Sequence, residues 1–334
     1  MALNVAEAAE KLRAKVKSVY DLLKIKLGET AAPGFRERCL INGENDRQLL
    51  FEEAQRFCAP ELQEFAEACR EEIARKPQWS AGAPLTADKV WLWGGPTPEW
   101  GGTLDPDTLV KQARFFNTRN GVYVYGPTTE EMIARHSSME KLLCMVSRTC
   151  RAPGQQQETN AECAENLSRF SLKYPNVKGG MLDDMTSGST TISPEKIADI
   201  AAISANLKKH NPALELFGVV YQHELKEKDF APLQPYIDGV NLWFWCQEKL
   251  LDLAENVELC RQQFPGKKIL LGLFLHDYGT FDGGALNELL LYQLKGARAL
   301  LGEGKIDGLV ILGDREILKW PEQAATVRGF LAGE

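Results

Sequence analysis

The spacing of apolar residues changes character near residue 87. Before it, the stretch NVAEAAEKLRAKVKSVYDLLKIKLG (residues 4–28) places apolar residues at intervals of three and four, which predicts an amphipathic helix that ends at Gly28. A second helical pattern covers residues 46–76, and Pro60 should break it into two pieces. These patterns predict a helical extension over residues 1–86.

From residue 87 onward, short runs rich in Val, Ile, Leu and aromatic residues alternate with polar loops and helical patterns. Eight such runs occur, at residues 89–95, 121–127, 141–150, 177–184, 214–224, 237–246, 267–279 and 306–315. Because each helix carries the chain back over the sheet, this alternation makes the strands parallel. Eight repeats in roughly 245 residues are typical of a closed barrel. We therefore predict an α/β fold, a (β/α)8 TIM barrel over residues 87–334, with the helical extension packed on or beside it.

A doubly wound open sheet is the alternative arrangement for alternating strands and helices. Such a sheet normally carries a Gly-rich phosphate-binding turn after its first strand. The stretch WLWGGPTPEWGG (residues 91–102) contains glycines but lacks the GxGxxG spacing, and its prolines would disturb the start of a helix. The closed barrel is therefore the preferred fold.

The C-terminal ends of the predicted strands carry many polar and aromatic residues. In a TIM barrel the functional site lies at these ends, and two of the four histidines and five of the seven tryptophans fall at or just past them. Aromatic rings stack on the apolar faces of sugars, so this set favours a carbohydrate ligand. The predicted substrate-binding residues are Trp93, Tyr125, Arg148, Tyr221, Asn241, Trp243, Trp245, Tyr278 and Arg315.

Carboxylates and histidines at the same ends are the candidate acid–base groups. The predicted catalytic residues are Asp183, Asp184, His223, Glu224, His276 and Asp277. Cleavage of a glycosidic bond needs one carboxyl group protonated as acid and one ionised as nucleophile or base. Alternation of side chains along the fourth run leaves open which of Asp183 and Asp184 faces the ligand, and we expect the other to be held by a neighbour.

The same alternation predicts the inward face of other strands. It groups Asn241, Trp243 and Trp245 on the sixth run, Gly272, Phe274, His276 and Tyr278 on the seventh, Tyr221 and His223 on the fifth, and Tyr123 and Tyr125 on the second. For the sixth and seventh runs we expect these faces to point into the barrel, because the alternate residues suit the helix layer.

Residues 179–184, with the sequence GGMLDD, carry a resemblance to a known class of enzymes. The part of the chain from residue 87 resembles the TIM-barrel glycoside hydrolases. Its fourth strand is similar in position to the acidic motif of the chitinase-like families and to the nucleophile strand of the α-galactosidase-like clan. Chitinase-like enzymes place a Glu two residues after the last Asp, where this chain has Thr186, and the Asn-Glu pattern of β-glycosidases is absent. The resemblance therefore implies a glycoside hydrolase-like barrel without a specific family.

Two other functions use the same residues. A non-catalytic sugar-binding barrel would need only the aromatic set. A metal-dependent sugar isomerase or hydrolase would use His223, His276, Glu224, Asp277 and one of the paired aspartates as ligands, although no HxH or HxxxH spacing supports a metal site. We expect an enzyme of the glycoside hydrolase class that uses strand-end carboxylates and needs no metal or other cofactor.

Composition limits the partners. A net charge of -7 argues against nucleic acid and anionic membranes, which select basic surfaces. No apolar run reaches the roughly 18 residues that span a bilayer. The eight cysteines form no CxxC pair, which suits reduced thiols and a cytoplasmic location. We expect a small-molecule or oligosaccharide substrate, and a homo-oligomer would form through the N-terminal helices.

Overall fold

Eight parallel strands close into a barrel, as predicted. The computed structural model describes residues 4–30, 54, 56–98, 102–126, 128–147, 158–186, 191–280 and 283–333. The strands are β1 (Val90–Gly94), β2 (Asn120–Tyr123), β3 (Lys141–Met145), β4 (Val177–Leu182), β5 (Glu215–Tyr221), β6 (Gly239–Trp243), β7 (Lys268–Leu273) and β8 (Gly308–Leu312). Each strand pairs with its neighbours in sequence, and β8 pairs with β1 to close the ring. The (β/α)8 TIM-barrel fold is confirmed.

Helices lie between the strands and after the last one. They are α3 (Thr108–Phe115), α4 (Glu130–Arg135), α5 (Asn160–Ser171), α6 (Pro194–Leu207), α7 (Leu253–Gln263), α8 (Asn287–Gly302), α9 (Arg315–Lys319) and α10 (Pro321–Ala332), and they follow α1 (Val5–Thr30) and α2 (Ala59–Arg75). Two helix starts show why the sequence folds this way. The hydroxyl oxygens of Thr159 and Ser193 accept hydrogen bonds from backbone N–H groups three residues on, both at 3.2 Å.

Short 3-10 helices lie beside the carboxyl ends of three strands. They are Gln222–Lys226 and Ala231–Leu233 after β5, Gln247–Asp252 after β6 and Tyr278–Thr280 after β7. The chain after β7 also forms a two-stranded antiparallel ladder, in which His276–Asp277 pair with Gly283–Gly284. The predicted seventh strand, residues 267–279, therefore ends earlier than expected, at Leu273.

The two N-terminal helices pack on each other and against the barrel. The apolar face of α1 buries Ala8, Ala9, Leu12 and Val16, and α2 buries Phe65 and Cys69 in the same core. Contacts extend from α1 to the 3-10 helices after β6 and β7. Pro60 lies in the first turn of α2, as a break there requires, whereas α1 continues past the expected end at Gly28 to Thr30. The division at residue 86 and assembly through these helices stay predictions.

In the described part of the chain, no helix combines the length and apolar character that a bilayer crossing requires. The cysteines in the same part are free thiols; Cys58, Cys69, Cys144 and Cys260 are buried, while Cys163 and Cys246 are partly exposed.

Large residues inside the barrel lie over glycines of the next strand. Phe217 of β5 is paired in register with Gly239 of β6, and a Cβ atom on that glycine would lie 2.3 Å from the Phe217 ring. Trp243 of β6 repeats the arrangement over Gly272 of β7, where a Cβ atom would lie 2.1 Å from the indole ring. The two glycines therefore make room for the two largest rings of this side of the barrel.

We expect Gly272→Ala to lower the free energy of unfolding by about 1–3 kcal/mol or more, because Trp243 cannot keep its place beside a new methyl group. Gly94→Ala is the matched control. It also adds a methyl group to a barrel strand, but the nearest atom there is 3.7 Å away. Urea unfolding of both variants measures the difference, and equal stability of the two would contradict this packing.

Candidate active site

A cavity of about 770 Å3 opens at the C-terminal ends of the strands, the predicted location of the site. Its walls include the predicted residues Trp93, Tyr125, Asp183, Asp184, Tyr221, His223, Glu224, Trp243, Trp245 and Tyr278. Val219, Phe274 and Leu312 add apolar surface, and Gln222, Glu227, Lys228, Cys246 and Lys249 add polar groups that we did not predict. A cavity of this size can hold a small organic ligand.

Both aspartates after β4 line the cavity, by different routes. Met181 packs in the barrel interior, so Asp183, two residues on, follows the inward face of the strand. Alternation would send Asp184 outward. Its backbone instead adopts a left-handed conformation with φ of 47°, which Asp tolerates better than most residues and which turns its exposed carboxylate toward the mouth.

Asp183, the first of the two aspartates, has a perturbed pKa. Burial among the rings and strand ends raises the pKa of its carboxyl, and the negative charge of Asp184 raises it further, to about 7. A hydrogen bond from the Asp184 backbone partly opposes the shift. Asp183 therefore holds its proton close to neutral pH, as a general acid must.

Asp184 is held by a neighbour. Tyr221 Oη, at the end of β5, donates a hydrogen bond to Asp184 Oδ1 at 2.7 Å. Burial raises the pKa of Tyr221, with the charge of Asp184 as the next cause, so the phenol keeps the proton that it donates.

Aromatic rings make the floor of the cavity. Trp93 and Trp243 are buried in the barrel interior and meet edge to face, with ring centroids 5.7 Å apart, and Phe274 packs on Trp243 at 4.5 Å. Trp93 Nε1 donates a hydrogen bond to Tyr125 Oη at 2.9 Å. Tyr125 reaches this place because its φ is 69°, while Tyr123 packs in the outer core; the prediction that both share one face is wrong.

A second aromatic group stands at the rim. Trp245, which is 38% exposed, stacks on Tyr278 with ring centroids 4.3 Å apart and planes 16° from parallel. Tyr221 meets the Trp245 ring edge to face at 5.3 Å and stacks on His223 at 5.7 Å. These rings give the mouth a flat apolar wall beside its polar groups.

Glu224 lines the cavity but is almost fully buried and bonded to neighbouring groups. It is 3% exposed, accepts a hydrogen bond from the Tyr221 backbone at 2.9 Å and one from Thr186 Oγ1 at 3.2 Å, and forms an ion pair with buried Lys228. Lys228 also donates to the Thr186 carbonyl oxygen. The four-residue spacing of Glu224 and Lys228 was a signal that sequence reasoning could have used.

His276 and Arg315 do not line the cavity themselves, although the centroid of the His276 ring lies 4.1 Å from that of Tyr278, which does. His276 is buried, hydrogen-bonded through Nδ1 to Glu316, and stacked on Trp320 at 4.8 Å; Arg315 Nε donates to the same Glu316 at 3.0 Å. The seventh-strand alternation failed for His276 because β7 ends at Leu273.

Asp277 and Asn241 are likewise buried. Asp277 accepts hydrogen bonds from the Gln247 backbone, the Gln247 side chain and the Gly279 backbone, each at 3.0 Å. Asn241 Nδ2 donates to the Leu270 carbonyl oxygen at 3.0 Å inside the barrel. Arg148 lies outside the described residues.

These positions separate the residues proposed as metal ligands. Within the ranges that the structure describes, no three His, Cys, Asp or Glu side chains are grouped as a cation site would need. His276 and Asp277 bond to Glu316 and Gln247, whereas His223 and the aspartate pair face the cavity.

Comparison with known proteins supports the fold. No protein-family model matches the chain, and no curated protein matches it. The chain is similar in structure to TIM-barrel glycoside hydrolases. A candidate α-L-fucosidase from Bacteroides thetaiotaomicron VPI-5482 has 12% sequence identity and a TM-score of 0.51, covering 77% of this chain and 98% of its own.

Two further solved structures are more distant. A β-D-glucuronidase from Dictyoglomus thermophilum has 10% identity and a TM-score of 0.47 over 75% of this chain, which spans about half of that protein, 51%. An intracellular xylanase from Thermoanaerobacterium saccharolyticum JW/SL-YS485 has 11% identity and a TM-score of 0.45, covering 70% of this chain and 89% of the xylanase. At these identities the likeness concerns the fold alone.

Replacing Asp183 should make stability less dependent on pH. The folded protein keeps the Asp183 proton up to about pH 7, whereas an ordinary Asp loses it near 3.8, so stability falls as pH rises between these values. We expect Asp183→Asn to gain as much as about 4 kcal/mol relative to wild type between pH 4 and pH 8.

Urea unfolding at several pH values measures this gain. Asp21→Asn, which removes an exposed carboxylate of α1 that does not line the cavity, is the control. A stability difference between Asp183→Asn and wild type that stays constant across this pH range would show that the carboxyl is not perturbed.

Proposed function

We propose that the chain is a carbohydrate-active hydrolase that cleaves a glycosidic bond at the mouth of the barrel. The observation that supports it is the pair after β4, in which Asp183 lies among aromatic rings and Asp184 is bonded to Tyr221. Two carboxyl groups in unlike surroundings are what acid–base cleavage of glycosides uses. The substrate is a small glycoside or an oligosaccharide.

Asp183 is the proposed general acid. With its pKa raised to about 7 by burial and by the Asp184 charge, it carries a proton where most carboxyl groups have lost theirs. It would pass this proton to the glycosidic oxygen as the bond from that oxygen to the anomeric carbon breaks.

Asp184 is the proposed second carboxylate. Its charge would stabilise the positive character that the sugar ring gains in the transition state, acting as nucleophile or as base toward water. The hydrogen bond from Tyr221 fixes the orientation of the carboxylate, and with a left-handed backbone at Asp184 both residues line the cavity.

The aromatic wall is the proposed sugar-binding surface. Trp245 is partly exposed at the rim and is backed by Tyr278 and Tyr221, so its ring is fixed before a ligand arrives. Sugars bind such rings through their C–H faces while their hydroxyl groups reach polar side chains. The same wall would serve a non-catalytic sugar-binding barrel, which is the second candidate function.

We expect Asp183→Asn and Asp184→Asn each to lower kcat/KM for glycoside hydrolysis by about 100-fold or more. The general-acid role has a further signature, because protonation matters most for poor leaving groups. Asp183→Asn should therefore lose far more activity on alkyl glycosides than on dinitrophenyl glycosides of the same sugar, while Asp184→Asn should lose activity on both.

A panel of aryl and alkyl glycosides, tested with Asp21→Asn as control, measures these losses. If wild type and both cavity variants hydrolyse the panel equally, the proposal is wrong. Saturable sugar binding without hydrolysis, retained by both aspartate variants and lost in Trp245→Ala, would instead identify a binding protein.

The pH dependence of hydrolysis should follow Asp183. Because the acid works only when protonated, kcat/KM should be highest below pH 7 and fall as pH rises through about 7. Removing the negative charge of Asp184 should move the pH at which kcat/KM declines. In Asp184→Gln or Asp184→Asn the pKa of Asp183 loses one of its two raising causes, so the residual activity should fall off at a lower pH. If kcat/KM declines at the same pH in these variants as in wild type, the decline reports a group other than Asp183.

A further inference from the structure

Two loops carry the rings of the sugar-binding wall. Trp245 follows β6 and Tyr278 follows β7, and their rings stack at 4.3 Å across the gap between the loops. Neither ring lies on a strand, so the barrel ladder does not fix their separation. Other contacts must hold the two loops in register.

Polar contacts join the loops beneath the rings. Asp277 binds the backbone and side chain of Gln247, and the Gly279 N–H donates to the Trp245 carbonyl oxygen at 3.2 Å. Gln247 in turn accepts a hydrogen bond from the Leu286 backbone at 2.8 Å. These bonds join the buried parts of the loops after β6 and β7.

A residue of the N-terminal helix α1 also joins the two loops. Arg13 Nε donates to the Gly279 carbonyl oxygen at 2.8 Å, and Arg13 Nη2 forms an ion pair with Glu248. One guanidinium group of α1 thus bonds the loop after β6 and the loop after β7. Gly279 and Glu248 are each next in sequence to a cavity-lining residue, Tyr278 and Lys249.

The bond to Glu248 is largely shielded from water. The exposed fraction of the Glu248 side chain is 7%, against 28% for Arg13. Removing the guanidinium would leave a buried carboxylate without its cation, which is costlier than losing an exposed ion pair. The planar guanidinium also offers two donors in a fixed geometry, which a single ammonium group cannot match.

We propose that Arg13 is a positioning residue of the binding site, holding the loops after β6 and β7 so that Trp245 and Tyr278 stay stacked. The N-terminal helix then forms part of the frame of the site. The sugar-binding role of the two rings rests on the proposed function, whereas the hold of Arg13 on the loops does not.

Hydrogen exchange followed by mass spectrometry tests that hold directly. In Arg13→Met we expect amides in the loops at residues 244–252 and 276–280 to exchange about tenfold faster or more, because charge-assisted bonds that restrain local opening are lost. Arg13→Lys should fall between, since it keeps a positive charge but lacks the second fixed donor. Lys11→Met is the matched control, because Lys11 lies on the same helix and pairs with Glu64 of α2.

Near-ultraviolet circular dichroism reports on the stacked rings. The difference between each protein and its Trp245→Phe counterpart isolates the signal of the pair, and we expect Arg13→Met to reduce it while Lys11→Met preserves it. Loop exchange and ring signal like those of wild type in Arg13→Met would overturn the proposal. So would faster exchange spread evenly over α2 and the barrel strands, which would mark a general loss of stability.

Activity separates this proposal from the proposed function. On whichever aryl glycoside of the panel the wild type hydrolyses, Arg13→Met should raise KM more than it lowers kcat, because the binding wall and not Asp183 is disturbed. If KM is unchanged while the loops exchange faster, the positioning of the rings is refuted. If the wild type hydrolyses no glycoside, the proposed function fails, and the exchange and dichroism results still decide the role of Arg13.

Discussion

The filling of the barrel by rings that lie over glycines is the constraint on which the site depends. Phe217 covers Gly239 and Trp243 covers Gly272, so two consecutive strand pairs are packed by the same arrangement. A ring that lies flat over the neighbouring backbone closes the interior below the mouth. The cavity therefore has an apolar floor, and any polar group at its edge has lost part of its water.

That loss of water gives Asp183 its chemistry. The carboxyl follows the inward face of β4 onto the apolar floor, and a second negative charge stands next to it in sequence. Both effects disfavour ionisation, and they act together because the chain turns back at Asp184 instead of continuing the strand. The packing of the interior thus contributes directly to the raised pKa of Asp183.

The period of the apolar residues predicted the eight strands, the barrel and the edge at which the site lies, because strand pairing and burial impose that period everywhere. Alternation of side chains failed as a guide where the chain leaves the hydrogen-bonded strands of the barrel. Tyr125 and Asp184 turn into the mouth through left-handed backbone, and β7 ends before His276, so alternation no longer applies. Glu224 lines the cavity and is also ion-paired with Lys228, four residues further on, a contact that the apolar period does not indicate.

Arg13 shows a different limit of sequence reasoning. Its partners lie 235 and 266 residues further along the chain, and an arginine on an amphipathic helix gives no sign of such distant contacts. The apolar face of α1 explains where the helix packs, since Leu12 and Val16 are buried in the common core. Once the helix lies there, Arg13 is carried to the rim, where a buried carboxylate and a free carbonyl oxygen need donors. Hydrophobic packing of α1 thus brings the Arg13 guanidinium to the loops after β6 and β7. The strands themselves do not fix the distance between these loops.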